Sequence, residues 1–194
     1  MPLPDHSVRD PRIKRTRQLL QDSLRQLLQQ KPFDEILVQD ITSAATVNRA
    51  TFYDHYVDKL DLFNALIASD FQKLLDQRGV CFEQGDSAGL TAIVMAVRDF
   101  LAQLQSDHAK CSRQAATGPL IDGAISLAIH RIIQCRLEEQ RGRFALPESA
   151  LAAIVSGAVY RGVKDMMAQT SGTANETALQ PLIRVVLPLL KPAA

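Results

Sequence analysis

Two short helices joined by a tight turn are indicated by the apolar pattern between Val38 and Lys59. Apolar side chains recur there at spacings that let two helices pack across a turn of about three or four residues. These side chains are Ile41, Ala44, Ala45, Val47, Phe52 and Tyr56. The opposite face of the second helix carries Arg49, Ala50, Thr51, Tyr53 and His55. A pair with such a donor-rich outer face is how a helix-turn-helix presents its reading helix to the DNA major groove.

The helix starts in this region carry local signals. Asn48 is a good cap for the reading helix, because its side-chain oxygen reaches a backbone N–H in the first turn. Leu37 precedes the first helix and lacks a side-chain acceptor, so Asp40 is expected to interact with the free N–H groups instead. Asp58 caps a third helix, and Lys59 stands where a phosphate would meet both its ammonium and the helix N-terminus.

A cluster of cations lies at the start of an earlier helix. Asp10 followed by Pro11 is typical of a helix start, and the apolar stripe that follows ends at Pro32. The cations are Arg9, Arg12, Lys14, Arg15 and Arg17. Cations at a helix N-terminus oppose the macrodipole, so they cost helix stability. The cluster alone fits a solvated, frayed end and a phosphate clamp equally well, and the neighbouring helix pair favours phosphate contact.

The remaining chain is predicted to be helical, with no strand. Apolar stripes predict long helices over about 60–79, 90–105, 120–141, 147–171 and 176–190, and a short helix near 106–114 with a break at Gly118-Pro119. Pro181 and Pro188 are expected to kink the last helix. The fold class is therefore all-α, with an N-terminal three-helix helix-turn-helix domain joined to a C-terminal helical bundle. The predicted boundaries are 1–60 for the arm and the helix-turn-helix domain, and 61–194 for the bundle.

Composition argues against several classes of protein. Hydrophobic residues make up 46% of the chain and charged residues 22%, which is ample material for a packed core. Three cysteines without CxxC spacing are typical of a reducing compartment. The first residues do not resemble a secretory signal, and no apolar run approaches the ~20 residues that cross a bilayer. A cytoplasmic protein without a membrane partner is expected.

Catalytic and cofactor motifs are absent from the sequence. It has no Gly-rich phosphate loop, no G-x-S-x-G and no H-E-x-x-H. His108 and Cys111 lie three residues apart, but no second close pair completes a zinc site. The sequence therefore predicts neither an enzyme nor a bound cofactor or metal.

The run FDEILVQDITSAATVNRATFYDHYVDKLDLF, residues 33–63, resembles the N-terminal DNA-binding domain of the TetR family of bacterial transcriptional repressors. The TFY, the aromatic residue three positions later and the D-K-x-x-L-F that follows are the most specific part. The resemblance covers roughly residues 10–70. It implies a homodimer with two DNA-binding heads and a C-terminal helical domain that binds a small molecule. Ligand binding would move the heads apart, so that they no longer fit successive major grooves.

The resemblance also implies roles for single residues. Gln39 falls where the family often has a base-reading arginine, and His55 and Lys59 fall at phosphate-contacting positions. The full set of predicted DNA-binding residues is Arg12, Lys14, Arg15, Gln39, Asn48, Arg49, Ala50, Thr51, Tyr53, His55 and Lys59. Thr46 replaces the usual turn glycine, so the turn either avoids positive φ or carries strain. Leu37 and Val38 lack the hydroxyls that usually touch phosphate, so affinity is expected to depend more on the basic arm.

Two features of the second half suggest what it binds. Small residues on one helix face favour a twofold four-helix bundle with a second copy, while an intramolecular core is the alternative. These residues are Ala152, Ala153, Ser156, Gly157 and Tyr160. A ligand pocket is expected among the helices near residues 90–135 and 155–170. Its predicted lining is Met95, Arg98, His108, Arg113, His130, Tyr160 and Met166.

Two functional hypotheses follow. The first is a homodimeric repressor released from its DNA operator by a small-molecule effector. The second is an all-helical small-molecule carrier or enzyme whose N-terminal helices are only structural. The identity of the effector and the operator sequence depend on cavity shape and base contacts, which helical stripes do not reveal.

Overall fold

The structure is a computed structural model that describes residues 10–78, 87–110, 118–138, 144, 146–170 and 174–191, without the side chains of 104–110, 118 and 136. The helices are α1 (Pro11–Gln30), α2 (Val38–Ala45), α3 (Arg49–His55), α4 (Lys59–Gln77), α5 (Ser87–Lys110), α6 (Gly118–Glu138), α7 (Glu148–Gln169) and α8 (Glu176–Val186). Two 3-10 turns span Phe33–Glu35 and Leu187–Leu190. The prediction of an all-α fold with an N-terminal helix-turn-helix is confirmed, since every regular element in these ranges is a helix.

Some helix boundaries in the second half differ from the predicted ones. α5 continues to Lys110, so the break predicted near Gln105 does not form. The end of the predicted 106–114 helix lies outside the described residues. α6 begins at Gly118 with Pro119 in its first turn, where the missing N–H has no helical partner to lose. The last helix is divided, because α8 ends at Val186 and a 3-10 turn follows.

Side-chain caps begin α1, α3 and α4. The carboxylate of Asp10, the amide oxygen of Asn48 and the carboxylate of Asp58 accept hydrogen bonds from the backbone N–H groups of Arg12, Thr51 and Asp61, at 2.9, 2.7 and 2.8 Å. Each cap satisfies a donor that the first turn of a helix leaves unpaired. The caps predicted for the reading helix and its neighbours therefore form as expected.

α2 begins without such a cap. Its Asp40 carboxylate instead accepts from the backbone N–H of Leu37 at 2.9 Å and from the ammonium of Lys31 at 2.6 Å. The hydrogen bond from Lys31 is the largest cause that holds the pKa of Asp40 below its ordinary value. These two contacts stabilise the first turn of α2, because the side chain of Leu37 cannot accept a hydrogen bond.

The N-terminal helices surround one apolar centre. α1 packs on α2 and α4, and α2 packs on α3. Phe52 and Ile41 are fully buried there, and Tyr56 is nearly so. The rings of Phe33 and Phe63 lie 5.0 Å apart, which closes the gap between the turn after α1 and the start of α4. This packing turns one face of α3 inward and leaves the other exposed.

α4 joins the helix-turn-helix region to the remaining helices. It packs against α1 on one side and against α5 and α6 on others. The guanidinium of Arg25 on α1 contacts the carboxylate of Asp70 on α4 at 2.6 Å. Near the end of α4, Arg78 forms an ion pair with Asp99 on α5. α4 begins at Lys59 and continues through the predicted domain boundary, and the boundary itself stays a prediction.

The small residues of α7 that the sequence analysis assigned to dimerisation differ in burial. Ala152, Ser156 and Tyr160 are buried within the chain, so the intramolecular alternative holds for these three. Ala153 and Gly157 are exposed on the neighbouring row. The two sets separate because residues four apart share a row on a helix, while the next residue along lies about 100° around the axis.

The turn between α2 and α3 adopts a left-handed conformation at Thr46, with φ 56° and ψ 42°. For a β-branched residue this region is an outlier, because its Cβ crowds the following carbonyl. The strained alternative left open by the missing turn glycine is therefore the one that forms.

Thr46→Gly is expected to raise the free energy of unfolding by about 1 kcal/mol, because glycine adopts positive φ without the steric cost. Urea denaturation followed by circular dichroism measures the change. Ser43→Gly, at an exposed position inside α2, is the matched control and is expected to destabilise the protein by about 0.5 kcal/mol. A destabilised Thr46→Gly variant would show that contacts of the threonine side chain outweigh its backbone strain.

Candidate nucleic-acid interface

α3 presents a polar outer face in front of a buried apolar one. Arg49 and Ala50 are exposed, and Tyr53 is 48% exposed. Thr51 and His55 are half-buried at the edges of the same surface. The positions that face outward are those expected from the sequence, because Phe52 and Tyr56 anchor the opposite side.

Arg49 and Tyr53 contact each other on this outer face. The Nη2 atom of Arg49 donates a hydrogen bond to the Tyr53 hydroxyl at 3.2 Å. The guanidinium carbon lies 5.6 Å from the centre of the Tyr53 ring. That ring packs edge-on against Phe52 with 5.3 Å between centroids. The side chain of Arg49 is thus held along α3 by Tyr53 while it stays exposed.

Gln39 and Asn48 complete the polar surface beside α3. Gln39 is exposed in the first turn of α2, and its backbone carbonyl accepts a hydrogen bond from Thr42 Oγ1 at 3.1 Å. Asn48 is exposed, and its side chain is occupied in capping α3. The Gln39 side chain is therefore exposed, while that of Asn48 is used by the cap.

Lys59 is held by the protein itself. Its ammonium donates to the carbonyl oxygens of Phe33, Asp34 and Ile36 at 2.9, 3.0 and 2.8 Å. It also lies 4.8 Å from the centre of the Phe33 ring. An ammonium has three N–H donors, so these bonds use all of them. The phosphate contact predicted for Lys59 would compete with these three bonds, and it stays a prediction.

The basic cluster on α1 separates into two groups. Arg12, Lys14 and Arg15 are exposed in the first turns. Arg17 is half-buried, and its guanidinium lies 5.6 Å from the centre of the Tyr56 ring. Arg17 therefore contributes to packing, while the first three present positive charge to solvent. Arg9 lies outside the described residues.

The predicted lining residues of the ligand pocket differ in their surroundings. Met95, His130 and Met166 are half-buried on three different helices, α5, α6 and α7. The side chain of His108 and all of Arg113 lie outside the described part of the chain. The three residues lie on different helices, and the pocket stays a prediction.

Arg98 and Tyr160, also predicted to line the pocket, both have protein partners. Arg98 contacts Asp99 at 2.5 Å and donates to the carbonyl of Ala174 at 3.2 Å, which ties α5 to the segment before α8. Its pKa is lowered, chiefly because burial disfavours the charged form. Tyr160 donates a hydrogen bond to Asp122 on α6.

The Asp122 carboxylate forms a polar cluster between α6 and α7. Its second oxygen accepts from Lys164, one turn along from Tyr160. Burial raises the pKa of the Tyr160 hydroxyl, and the neighbouring carboxylate raises it further. Burial by itself would raise the pKa of Asp122, but the hydrogen bonds from Lys164 and Tyr160 hold it below its ordinary value. No sequence spacing signals this cluster, since its partners lie on different helices.

None of the helices in the described part of the chain is long and apolar enough to span a membrane. Among the same residues, no group of histidine, cysteine and acidic side chains is placed to hold a metal ion.

The N-terminal region matches a known family. Residues 20–66 fit the family model described as bacterial regulatory proteins, tetR family. The chain is also 37% identical over 68 residues to the uncharacterised HTH-type transcriptional regulator YxbF of Bacillus subtilis (strain 168). That match covers 34% of this chain and 18% of the relative, so the chain spans about a fifth of the relative's length.

Solved structures of similar shape extend over most of the chain. The dihydroxyacetone kinase operon activator DhaS is 14% identical and covers 90% of this chain and 96% of its own, with a TM-score of 0.46. RolR in complex with resorcinol is 18% identical, and the match covers 94% of this chain and 91% of RolR, with a TM-score of 0.44. Similarity of this degree carries no functional inference.

The exposed face of α3, its cap and its buried aromatic backing define a helix-turn-helix DNA-binding domain. Together with the match over residues 20–66, they identify the N-terminal region as a DNA-binding domain of the type found in bacterial regulators. The family whose model this N-terminal region matches is the TetR family of bacterial regulators.

Proposed function

We propose that this protein is a homodimeric repressor that binds a specific DNA operator and leaves it when a small-molecule effector binds. The observation that supports it most is the outer face of α3, where Arg49 and Tyr53 are exposed in front of the buried Phe52.

The chemistry of this face suits base recognition. Arg49 has the planar fork that donates two hydrogen bonds to a guanine edge, and Gln39 has the amide that pairs with adenine. Ala50 and the methyl group of Thr51 suit a thymine methyl. Arg12, Lys14 and Arg15 would contact phosphates and supply affinity that does not depend on sequence.

Dimerisation is supported by apolar side chains that the single chain leaves exposed. Ile154 on α7 is 48% exposed, and Val185 on α8 is 71% exposed. A Cβ added to Gly157 would meet nothing within 4 Å, so this part of α7 has room for a neighbouring helix. Two such surfaces related by a twofold axis would form a four-helix bundle. The dimer would set two copies of α3 about 34 Å apart, in successive major grooves.

Ile154→Asp is expected to weaken the dimer by about ten-fold or more, because a charge would replace an apolar side chain in a buried interface. Sedimentation equilibrium measures the dissociation constant. Leu19→Asp is the matched control, because Leu19 is exposed to a similar extent and lies on α1, which packs on α2 and α4. Equal dimerisation of both variants would exclude the proposed interface.

Release by an effector would act through α4, which contacts helices on both sides. The Arg25–Asp70 contact links it to the helix-turn-helix region, and the Arg78–Asp99 pair links its other end to α5. A shift of α5 or α6 would thus change the direction of the DNA-binding heads. An effector that prefers the spread form by 1–3 kcal/mol lowers DNA affinity by roughly 5–150-fold.

Selection of duplexes from a randomised pool tests the proposal. The full chain is expected to enrich an inverted repeat whose half-sites lie about one helical turn apart. The competing carrier or enzyme hypothesis expects no enriched sequence and only salt-sensitive, non-specific binding. A pool that stays random after repeated rounds would exclude the repressor.

A further inference from the structure

We propose that Tyr53 positions Arg49 for base reading, so that the tyrosine determines sequence specificity through the arginine and not by a base contact of its own. The inference depends on the proposed function, because it assigns a role within the same DNA-binding surface.

The geometry connects the protein interior to the guanidinium through two aromatic rings. Phe52 is fully buried, and the Tyr53 ring packs edge-on against it at 5.3 Å between centroids. Arg49 lies one helical turn before Tyr53 and donates to its hydroxyl at 3.2 Å, with the guanidinium carbon 5.6 Å from the ring centre. A rigid ring therefore holds an otherwise mobile side chain by a hydrogen bond and a cation–π contact.

This contact leaves Arg49 able to read a base. A guanidinium has five N–H donors in one plane, and the hydrogen bond to Tyr53 uses one of them. The remaining donors of Nη1, Nη2 and Nε are sufficient for the O6 and N7 atoms of guanine. Tyr53 thus restrains Arg49 and leaves enough guanidinium donors for two hydrogen bonds to guanine.

Restraint before binding raises affinity because it removes part of an entropic cost. A free arginine side chain samples many rotamers, and ordering them on DNA opposes binding. The Tyr53 contact confines the Arg49 rotamers while the protein is still free. The benefit appears only on DNA that the arginine can read, so it increases discrimination between sequences.

A direct role for Tyr53 predicts a different pattern. A tyrosine hydroxyl that touched a phosphate would contribute on every duplex and would act whether or not Arg49 were present. A positioning role makes the effect of the hydroxyl depend on the arginine. A double-mutant cycle separates the two roles.

The experiment compares the wild-type protein, Tyr53→Phe, Arg49→Ala and the double variant. Fluorescence anisotropy measures their affinities for the duplex that the wild-type protein selects and for a scrambled duplex. Tyr53→Phe keeps the ring and loses the hydroxyl, and it is expected to lower affinity for the selected duplex by about five-fold with an unchanged salt slope. In the Arg49→Ala background the same change is expected to have less than about a two-fold effect.

Tyr56→Phe is the matched control. It removes a hydroxyl that accepts from Gln21 at 3.3 Å inside the same head, and it is expected to leave the ratio of the two affinities unchanged. Equal losses from Tyr53→Phe in both backgrounds, or no loss in the wild-type background, would overturn the positioning role alone. A pool from which no sequence is enriched would overturn the proposed function and this inference together.

Discussion

Arg49→Ala is expected to lower affinity for the selected duplex by about 100-fold, and affinity for unrelated DNA by less than about three-fold. An arginine contact to a base edge contributes roughly 1–3 kcal/mol of discrimination, and a twofold dimer would lose one contact in each head. Non-specific affinity would persist, because Arg12, Lys14 and Arg15 stay exposed on α1. Fluorescence anisotropy with both duplexes at several salt concentrations measures the two losses.

Two further variants identify what the arginine contributes. Arg49→Lys keeps the positive charge but not the planar fork, so most of the discrimination is expected to be lost with it as well. Arg131→Ala is the matched control, since Arg131 is exposed on α6 and lies outside the proposed DNA-binding surface. If Arg49→Ala weakened both duplexes equally, Arg49 would be a phosphate contact and base reading would have to lie elsewhere.

Lys59→Met is expected to lower the free energy of unfolding by about 2–3 kcal/mol. The methionine keeps the length of the side chain but leaves the carbonyls of Phe33, Asp34 and Ile36 without their charged donor. These carbonyls belong to the turn that connects α1 to α2. Loss of the Lys59 ammonium would therefore loosen the whole helix-turn-helix region. Urea denaturation followed by circular dichroism measures the change.

Lys73→Met on the same helix is the control for removing a lysine charge. Lys73 is 51% exposed and contacts Asp70, three residues away, at 3.3 Å. Lys73→Met is therefore expected to lower the free energy of unfolding by less than about 0.5 kcal/mol. DNA affinity of Lys59→Met, measured where the variant is folded, then tests the phosphate contact. Lys59 would be a DNA contact and not a structural residue if Lys59→Met left the free energy of unfolding unchanged. The slope of log binding constant against log salt concentration would then fall by about one for each DNA-binding head.

The parts of the proposed DNA-binding surface that the sequence predicted depend on local geometry. Residues four apart lie on one side of a helix, so Phe52 and Tyr56 had to face inward together and Arg49 and Tyr53 outward together. The cap from Asn48 spans three residues. Such relations are set by the backbone of a single helix and need no knowledge of neighbouring elements.

Contacts between distant residues were not predictable in the same way. The ammonium of Lys59 reaches carbonyls that lie 23–26 positions earlier in the chain. Asp122 meets Tyr160 and Lys164 across 38 and 42 positions. Lysine and aspartate are common surface residues, so their types and spacing do not indicate which pairs will meet. The packing of α4 on α1 and of α6 on α7 brings them together.

The amino-acid sequence by itself determined an all-helical chain, a helix-turn-helix near its start and the outward face of its reading helix. These follow from apolar periodicity and from caps that act within one turn. Only the tertiary structure decided that Thr46 takes a left-handed conformation, that Lys59 binds its own chain, and which of the two rows of small residues on α7 is buried. Each of these depends on how helices rotate and pack against one another, and a helical repeat does not specify that rotation.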